Sequence, residues 1–397
     1  MTDLKRTALY DTHKRLGARL VEFGGWEMPV WYSSAREEHL AVRTAAGLFD
    51  VSHMGVLDAR GPEACAFLDH IGTNDVSKLA VGRSHYAYML SEAGDVVDDI
   101  MIYRFEPERY VIVVNAANMD KDWAWLAGQH AGATTILRDL RAPSSGADMR
   151  VDLALQGPAS RALLERLMPG AQVPVLAALP YTGVMPAVLA GHEVFISRTG
   201  YTGERIAYEI FVHPFGSVAL WNALLDAGKE AGVKPAGLAA RDSLRTEAGL
   251  PLYGHELGGP LNLGPYHIGF DNFVKTGKSS DFTGKAAYIE RAAKNTLRMV
   301  RFRMNDKGVR PAKLGDPVMD RRGRVIGTVT SCAQDSDGFL LGLAEVEGTV
   351  AAEGNALGII ALPERMPDPL KPFAALGSRV LVPDAATVLA RFPPKKG

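Results

Sequence analysis

Two adjacent aspartates precede an apolar stretch in the segment Asp95-Val96-Val97-Asp98-Asp99. Neighbouring side chains on a strand point to opposite faces, so one carboxylate can enter a cleft while the other caps a turn or meets solvent. A buried carboxylate beside an apolar wall can accept a proton, hydrogen-bond an amine or stabilise a developing cation. Aspartate is also common where a hairpin begins, so the residues alone leave ordinary turn chemistry equally open.

The segments Phe23–Pro29 and Phe49–Gly55 set a few polar residues among apolar ones. Apolar walls with a few convergent polar groups are what a flat heteroaromatic ligand requires, so both segments could line a pocket. A turn followed by a half-buried strand explains the same pattern, with His53 satisfied by backbone hydrogen bonds. Taken by itself, the pattern favours this second interpretation.

Two further groups near the middle of the chain could contact a ligand. In Arg198–Glu204, glycines on both sides of Tyr201 and Thr202 allow close approach to the backbone, although a tight bend between strands needs the same glycines. Arg241 and Asp242 could hold a carboxylate or the edge of a planar ring, because guanidinium donors match planar acceptors. A capped helix with internal ion pairs explains that pair equally well.

Composition and missing motifs exclude several classes of protein. The 397 residues carry 44 basic and 45 acidic side chains, so no overall field attracts nucleic acid or an anionic membrane. Cys65 and Cys332 form neither a disulfide framework nor a zinc motif, and no histidine spacing predicts a metal site. Phosphate-loop, dinucleotide and serine-hydrolase motifs are absent. Because the chain shows no apolar signal core and no membrane-length apolar run, we expect a cytoplasmic protein.

Alternating short strands and helices predict an α+β fold up to about residue 293. The predicted helices are 35–46, 61–68, 120–130 and 217–231. The predicted strands are 56–59, 85–90, 97–103, 110–115, 153–155, 194–197 and 209–212. Short strands separated by turn residues then follow at 299–303, 324–329 and 339–346, which indicates a small β-barrel or sandwich.

Several ordered segments of the chain resemble one protein family. They are LYDTHKRLGARLVEFGGWEMPVWY, EEHLAVRTAAGLFDVSHMG, GDVVDDIMIY, VVNAANMDKD, ALQGP, RTGYTGE, AARDSLRTEAGLPLYG and DFTGKAA. The set resembles the aminomethyltransferase (glycine-cleavage T-protein) family of tetrahydrofolate enzymes. Any single motif would be weak, whereas the ordered set is specific.

The resemblance implies a fold: a three-domain α+β cloverleaf around a central folate channel, ending in a small β-barrel-like domain. Residues 1–146 would form a folate-binding α+β domain, with the N-terminal segment packing on the next domain. Residues 147–293 would form a second α+β domain that completes the folate site. Residues 294–397 would form the β-rich C-terminal domain.

The resemblance also implies tetrahydrofolate as the cofactor and assigns residues to its site. Asp99 would be the catalytic carboxylate beside the reactive folate nitrogens, where it would stabilise positive character on the transferred carbon. Glu209 would hold the amino-pyrimidine edge of the pterin, whose paired N–H donors suit a carboxylate. The residues implied to line the folate site are Met54, Tyr86, Asp99, Tyr103, Asn115, Tyr201, Glu209 and Arg241.

The chain departs from the T-protein pattern mainly after residue 204. The loop from Glu204 to Glu209 is one residue longer than usual, which bears on the register of Glu209. The other departures are His255-Glu256-Leu257-Gly258-Gly259, Gly269-Phe270 where a tryptophan is usual, the segment 330–337, and an extra stretch at about 351–375. This distribution favours retained folate binding with altered recognition of the other substrate.

The leading hypothesis is therefore a folate-dependent demethylase. It would move a methyl group from a small methylated substrate, such as a chlorinated methoxybenzoate, to folate N5. A departing phenolate needs a hydrogen-bond donor or a nearby cation. His255 and His267 are the candidate catalytic donors, although a structural hydrogen bond is the commoner role of such histidines. The candidate substrate residues are Tyr253, Tyr266, Phe270 and Arg245, of which Arg245 could attract a carboxylate.

Two alternatives stand beside this hypothesis. The first is an ordinary aminomethyltransferase of the glycine cleavage system, which would use a lipoyl carrier protein as its partner and release ammonia. The second is a folate-binding regulator without catalysis, which the intact Asp98-Asp99 pair makes less favoured. Neither a nucleic-acid partner nor a membrane partner is expected.

Overall fold

The computed structural model describes residues 4–130, 134–362 and 382–394. These form two compact units, one made of Met1–Asp242 with Asn272–Arg291 and the other of Ser243–Asp271 with Ala292–Gly397. The domain boundaries expected at 146/147 and 293/294 stay predictions. Most of the expected extra stretch at 351–375, from residue 363 onward, lies outside the described residues.

The secondary structure of the described residues comprises ten α-helices and nineteen strands. The helices are α1 Tyr10–Arg15, α2 Ala35–Thr44, α3 Ala64–Ile71, α4 Met119–Gln129, α5 Ser160–Leu167, α6 Val173–Ala178, α7 Pro214–Gly228, α8 Leu238–Ala248, α9 Pro265–Ile268 and α10 Lys285–Lys294. The strands are β1 Arg19–Phe23, β2 Trp26–Trp31, β3 Gly47–Asp50, β4 Gly55–Arg60, β5 Arg83–Leu90, β6 Val96–Glu106, β7 Arg109–Val114, β8 Ile136–Asp139, β9 Val151–Gln156, β10 Val184–Leu189, β11 His192–Ser197, β12 Ala207–Val212, β13 Lys234–Pro235, β14 Leu297–Met304, β15 Pro317–Met319, β16 Val325–Gln334, β17 Leu340–Glu347, β18 Ala356–Ile359 and β19 Asp384–Leu389.

The first unit contains a five-stranded sheet in the order β5-β6-β7-β4-β8. Helices α3 and α4 cover it, since Phe67 and Leu68 of α3 and Leu126 of α4 pack with the apolar side chains of the strands. Along β6, Val96, Asp98 and Ile100 are buried while the residues between them are partly exposed. This period of two is what a strand with one covered face requires, and it places Asp98 and Asp99 on opposite faces.

A six-stranded sheet in the same unit has the order β10-β11-β12-β9-β3-β13. Strand β3 pairs antiparallel with β9 on one side and parallel with β13 on the other. Leu163 and Leu164 of α5 and Trp221 of α7, which is 0% exposed, fill the core against this sheet. An early segment of the chain thus supplies an interior strand to a sheet built otherwise from later residues.

The two sheets of the first unit pack against each other through an aromatic cluster. Phe105 of β6 stacks on Phe195 of β11 with ring centroids 4.2 Å apart, and Tyr103 meets Phe211 of β12 edge-on at 5.3 Å. Such offset and edge-on pairs are the arrangements aromatic rings prefer. The contact brings β6 against β12, so side chains from both sheets can form one site.

The N-terminal segment is fixed by a short hairpin and a buried polar network. Strands β1 and β2 pair antiparallel around Gly24 and Gly25, whose positive φ values of 55° and 82° suit the tight turn. A Cβ atom on Gly24 would lie 3.3 Å from the backbone nitrogen of Ala117, so the turn also packs closely on that segment. His13 Nε2 donates to Asp50 at 2.8 Å, which anchors α1 to the end of β3.

The second unit contains a closed barrel in the strand order β14-β17-β16-β15-β18-β19. Its interior is filled by apolar side chains, including Phe302, Val329, Val346 and Val388. The expected α+β fold with a small C-terminal β-barrel is confirmed. Among the described residues, no helix is long and apolar enough to cross a membrane.

Candidate active site

The carboxylate of Asp99 stands on β6 between two donors from neighbouring strands. The hydroxyl of Tyr86, on β5, donates to Oδ2 at 2.7 Å, and the Asn115 side-chain amide donates to Oδ1 at 2.8 Å. Asn115 follows the last residue of β7, so the order β5-β6-β7 places all three groups side by side. The arrangement holds a partly exposed carboxylate in one fixed orientation.

Asp98 lies on the opposite face and is fully buried. It accepts from the Asn115 backbone N–H and side-chain amide, both at 2.9 Å, and from the Asn118 amide at 2.6 Å. Asn115 therefore bridges Asp98 and Asp99. Burial, together with the charge of Asp98, raises the pKa of Asp99 to about 7, against the lowering effect of Tyr86 and Asn115.

Replacing Asp98 by Asn is expected to lower the pKa of Asp99. The substitution removes a like charge, whereas burial of Asp99 persists, so the new pKa should lie between about 4 and 7. The measurement is an NMR titration of ¹³C-labelled aspartate carboxyls in the ligand-free protein. The exposed Asp120→Asn is the control and should leave the midpoint unchanged. An unchanged midpoint in Asp98→Asn would show that Asp98 does not influence Asp99.

Glu209, on β12, faces the same region from the other sheet. Its Oε2 accepts from the Tyr103 hydroxyl at 2.8 Å and from the Thr199 hydroxyl, while Oε1 receives no hydrogen bond from the described residues. Glu209 pairs with Ala154 in the register of β12 and β9. The longer loop before β12 therefore does not remove Glu209 from the paired part of the strand. One oxygen is held and the other remains available for a ligand.

Arg241, in the first turns of α8, stacks over the Tyr201 ring at 4.9 Å. Its Nη1 is buried and makes no hydrogen bond with the described residues, and the same holds for Asp152 Oδ1 and His53 Nδ1. Burial lowers the pKa of His53 to about 4, so its ring is neutral near pH 7. Unsatisfied buried polar atoms are costly, and several of them beside stacked rings fit a planar heterocycle with its own donors and acceptors.

All eight residues implied for the folate site lie in the first unit. Hydrogen bonds link Tyr86, Asp99 and Asn115 into one cluster and join Tyr103 to Glu209. Stacking joins Tyr201 to Arg241. Met54 packs against the cluster that contains Tyr103 and Phe211. These roles toward a ligand stay predictions, since the contacts describe the protein alone.

Comparison with known proteins identifies the family. The model described as the GCVT N-terminal domain matches residues 9–278. An aminomethyltransferase of Symbiobacterium thermophilum is 47% identical over 332 residues, which is 83% of this chain and 85% of that protein. One from Bacillus subtilis is 40% identical over 358 residues, which is 90% of this chain and 94% of its own. The chain belongs to the aminomethyltransferase family.

A solved structure agrees with this assignment. The crystal structure of the glycine cleavage system aminomethyltransferase T from Bartonella henselae matches with a TM-score of 0.81 and 30% identity, covering 98% of this chain and 97% of its own. As a member of the aminomethyltransferase family, the chain is a one-carbon transferase that uses tetrahydrofolate.

The candidate substrate residues and the two candidate catalytic histidines of this chain lie in the second unit. Both histidines have hydrogen-bond partners within the protein. His255 Nδ1 donates to the Thr330 carbonyl at 3.0 Å, so one ring nitrogen is already bonded within the protein. His267 Nδ1 accepts from the Gly264 N–H at 2.9 Å, and its Nε2 lies 3.5 Å from Glu345 Oε1. These contacts favour structural roles for both histidines.

The three aromatic candidates also pack within the second unit. Tyr266 lies over His267 with ring centroids 4.4 Å apart, and Phe270 meets Phe392 edge-on at 5.2 Å. The ring of Tyr253 occupies the space beside Gly258, where an added Cβ would come within 2.7 Å of it. Their assignment to substrate binding stays a prediction.

Arg245 is fully buried, at 1% exposure, and its guanidinium is bonded inside the protein. It donates to Glu256 and to Ser331, each at 2.7 Å, and Ser331 donates in turn to Glu256 at 2.7 Å. The expectation that Arg245 attracts a substrate carboxylate therefore receives no support. Its ion-pair partner, Glu256, belongs to the segment 255–259, which departs from the T-protein pattern. At least one residue of that segment therefore serves a buried ion pair.

Replacing Glu256 by Gln is expected to destabilise the protein by about 3–5 kcal/mol, because it leaves the buried Arg245 charge unpaired. Chemical denaturation or thermal melting measures the loss. The control is Glu347→Gln, which breaks the exposed pair between Arg324 and Glu347 at 2.6 Å and should change stability little. Equal effects in the two variants would contradict the importance assigned to the buried pair.

Two contributors to the site were missed by sequence reasoning. Thr199 lies in the segment Arg198–Glu204, and its hydroxyl fixes Glu209. Asn118 lies in the segment VVNAANMDKD, and its amide donates to Asp98. Their types gave a signal, since hydroxyl and amide groups are common partners of buried carboxylates. Only the fold shows which carboxylate each one meets.

Proposed function

We propose that the protein is the aminomethyltransferase of a glycine cleavage system. It would take the aminomethyl group from the lipoyl sulfur of a carrier protein and pass its carbon to tetrahydrofolate. The products would be methylenetetrahydrofolate, ammonia and the carrier with its lipoyl thiol free. The relatives that bear this name support the proposal, at 40–47% identity over most of the chain. The observation that carries it is the oriented, hydrogen-bonded Asp99 beside the buried Asp98.

The relatives give the demethylase hypothesis no support and favour the alternative named beside it. Alignment with the aminomethyltransferases reaches 83–90% of the chain, so the departures after residue 204 do not by themselves indicate another donor. The non-catalytic alternative is disfavoured by the residues around Asp99. A binding protein has no need of a carboxylate whose pKa is raised to about 7 and whose two oxygens are fixed.

In the proposed mechanism, tetrahydrofolate supplies the nitrogen nucleophiles that accept the carbon. Glu209 would accept the pterin N–H donors through Oε1, because Tyr103 and Thr199 already hold Oε2. Arg241 would donate through Nη1, which has no partner in the described residues, while its contact with the Tyr201 ring holds the guanidinium in place. These contacts would orient the cofactor without further rearrangement.

Asp99 would act on the carbon under transfer. When ammonia leaves, that carbon gains positive character, and a fixed carboxylate stabilises it more strongly in a water-poor site than in water. Tyr86 and Asn115 keep the two oxygens in place, so no reorganisation is needed during the reaction. A pKa of about 7 also allows Asp99 to exchange a proton with the departing amine near neutral pH.

The test is a turnover assay with tetrahydrofolate under anaerobic conditions, with the folate product identified by mass. The donors are the lipoyl carrier protein loaded with aminomethyl, methoxybenzoates, dimethylsulfoniopropionate and methylated glycines. We expect ammonia and methylenetetrahydrofolate with the loaded carrier and no product with the unloaded one. Formation of 5-methyltetrahydrofolate from a small methylated donor, with none from the carrier, would refute the proposal and restore the demethylase hypothesis.

A further inference from the structure

A third carboxylate stands behind the pair at the active site. Asp122, in the first turn of α4, is 0% exposed, and neither of its oxygens accepts a hydrogen bond from a donor in the described residues. Its carboxyl group lies beside that of Asp98, close enough for the two to interact directly. A hydrogen bond between two carboxyl groups requires a proton on one of them.

The surroundings decide which of the two carries the proton. Asp98 receives two hydrogen bonds from Asn115 and one from Asn118, and all three favour its ionised form. Asp122 receives none from these donors, so its neutral form is favoured. The charged groups that act on Asp122 are Asp98 and Asp99 from β6 and Lys121 from its own helix, and only Lys121 favours ionisation.

We propose that Asp122 is a positioning residue, a neutral carboxyl that donates a hydrogen bond to Asp98 and thereby keeps Asp98, Asn115 and Asp99 in register. Asn115 bonds to both aspartates, so an immobile Asp98 fixes the amide that orients Asp99. The catalytic part of this inference rests on the proposed role of Asp99. The protonation of Asp122 does not depend on that role.

Burial and the charge of Asp98 raise the pKa of Asp122 to about 10. The unfolded chain would have the ordinary value of about 4. Because the folded pKa is the higher one, the stability that Asp122 contributes is complete below about pH 4 and falls as the pH rises toward 10. Asparagine has nearly the same shape and does not ionise, so a variant with asparagine at this position would not lose that stability as the pH rises.

The first experiment is the melting temperature of Asp122→Asn between pH 5 and 9, without substrate. Its amide can donate to Asp98 as the neutral acid does, so we expect Asp122→Asn to melt higher than the wild type. The gain should grow by about 2–4 °C per pH unit as the unfolded wild type ionises. The exposed Asp120→Asn should show no such trend. A gain that is absent or independent of pH would overturn the protonation of Asp122.

The second experiment is turnover with the loaded lipoyl carrier. Asp122→Asn should keep kcat within about threefold of the wild type, because it conserves the donor. Asp122→Leu keeps the volume and removes the donor, so kcat should fall about tenfold or more with little change in KM for tetrahydrofolate. Equal activity of the Leu and Asn variants would overturn the positioning role. If Asp122→Leu does not fold, the positioning role would be overturned by a kcat of Asp122→Asn well below that of the wild type.

The two experiments separate the inference from the proposed function. Melting curves report the proton on Asp122 even when no donor supports turnover. If the wild type is inactive with the loaded carrier while the melting trend is present, the proposed function fails and the buried neutral carboxyl stands.

Discussion

Asp99→Asn is expected to lower kcat by about 10²–10⁴, the range in which single acid–base or charge-stabilising groups contribute. The amide carries no charge to stabilise the carbon under transfer and cannot exchange a proton with the departing amine. Tetrahydrofolate affinity should change little, because Glu209 and Arg241 hold the pterin in the proposed mechanism. The measurements are single-turnover rates with the loaded carrier and a direct titration of the cofactor.

The matched control for this prediction is Asp120→Asn, which makes the same chemical change at an exposed position nearby. It should retain wild-type kcat. A residual rate in Asp99→Asn above about a tenth of the wild type would exclude a central catalytic role. An intact rate would instead favour a folate-binding protein whose carboxylate serves structure alone.

Glu209→Gln should weaken tetrahydrofolate binding about 10- to 100-fold, the loss expected when a charge-assisted hydrogen bond is replaced by a mismatched neutral contact. The new amide places N–H donors where the pterin also presents donors. It also disturbs the oxygen that Tyr103 and Thr199 hold. Calorimetry or fluorescence titration under anaerobic conditions gives the dissociation constant.

Glu193→Gln, at an exposed position on β11, is the control for Glu209→Gln and should bind tetrahydrofolate normally. The variants Glu209→Gln and Asp99→Asn together separate binding from chemistry. The loss in Glu209→Gln should appear in Kd, and the loss in Asp99→Asn should appear in kcat. Unchanged affinity in Glu209→Gln would mean that the pterin is held by other residues.

Local patterns in the sequence were enough to predict much of the fold. The four predicted helices correspond to α2, α3, α4 and α7, and the predicted strands correspond to β4, β5, β6, β7, β9, β11, β12, β14, β16 and β17. Helix ends were less accurate. Helix α7 begins at Pro214, three residues before the predicted start, because His213 accepts the Phe215 N–H and caps it.

Long-range partners could not be predicted from local patterns. Nothing in the pattern of Gly47–Asp50 shows that it pairs with β9 and β13, and the strand Arg19–Phe23 was not predicted. The sequence suggests Arg245 as a substrate residue, but its bonds to Glu256 and Ser331 arise only when distant segments meet. Family resemblance implies which residues line the expected folate site, whereas the hydrogen bonds that fix them are visible only in three dimensions.

Strand β3 lies inside the six-stranded sheet, between β9 and β13. Residues 47–50 leave the ribosome well before either of their neighbours, β9 and β13, has been made. During that interval the nascent strand exposes two unpaired edges, which are favourable templates for pairing with other chains. Correct closure must await residue 234, so the first unit matures late in translation and its folding is slowed by non-local pairing. A cell making this protein quickly would depend on chaperones that shield the early half of the chain.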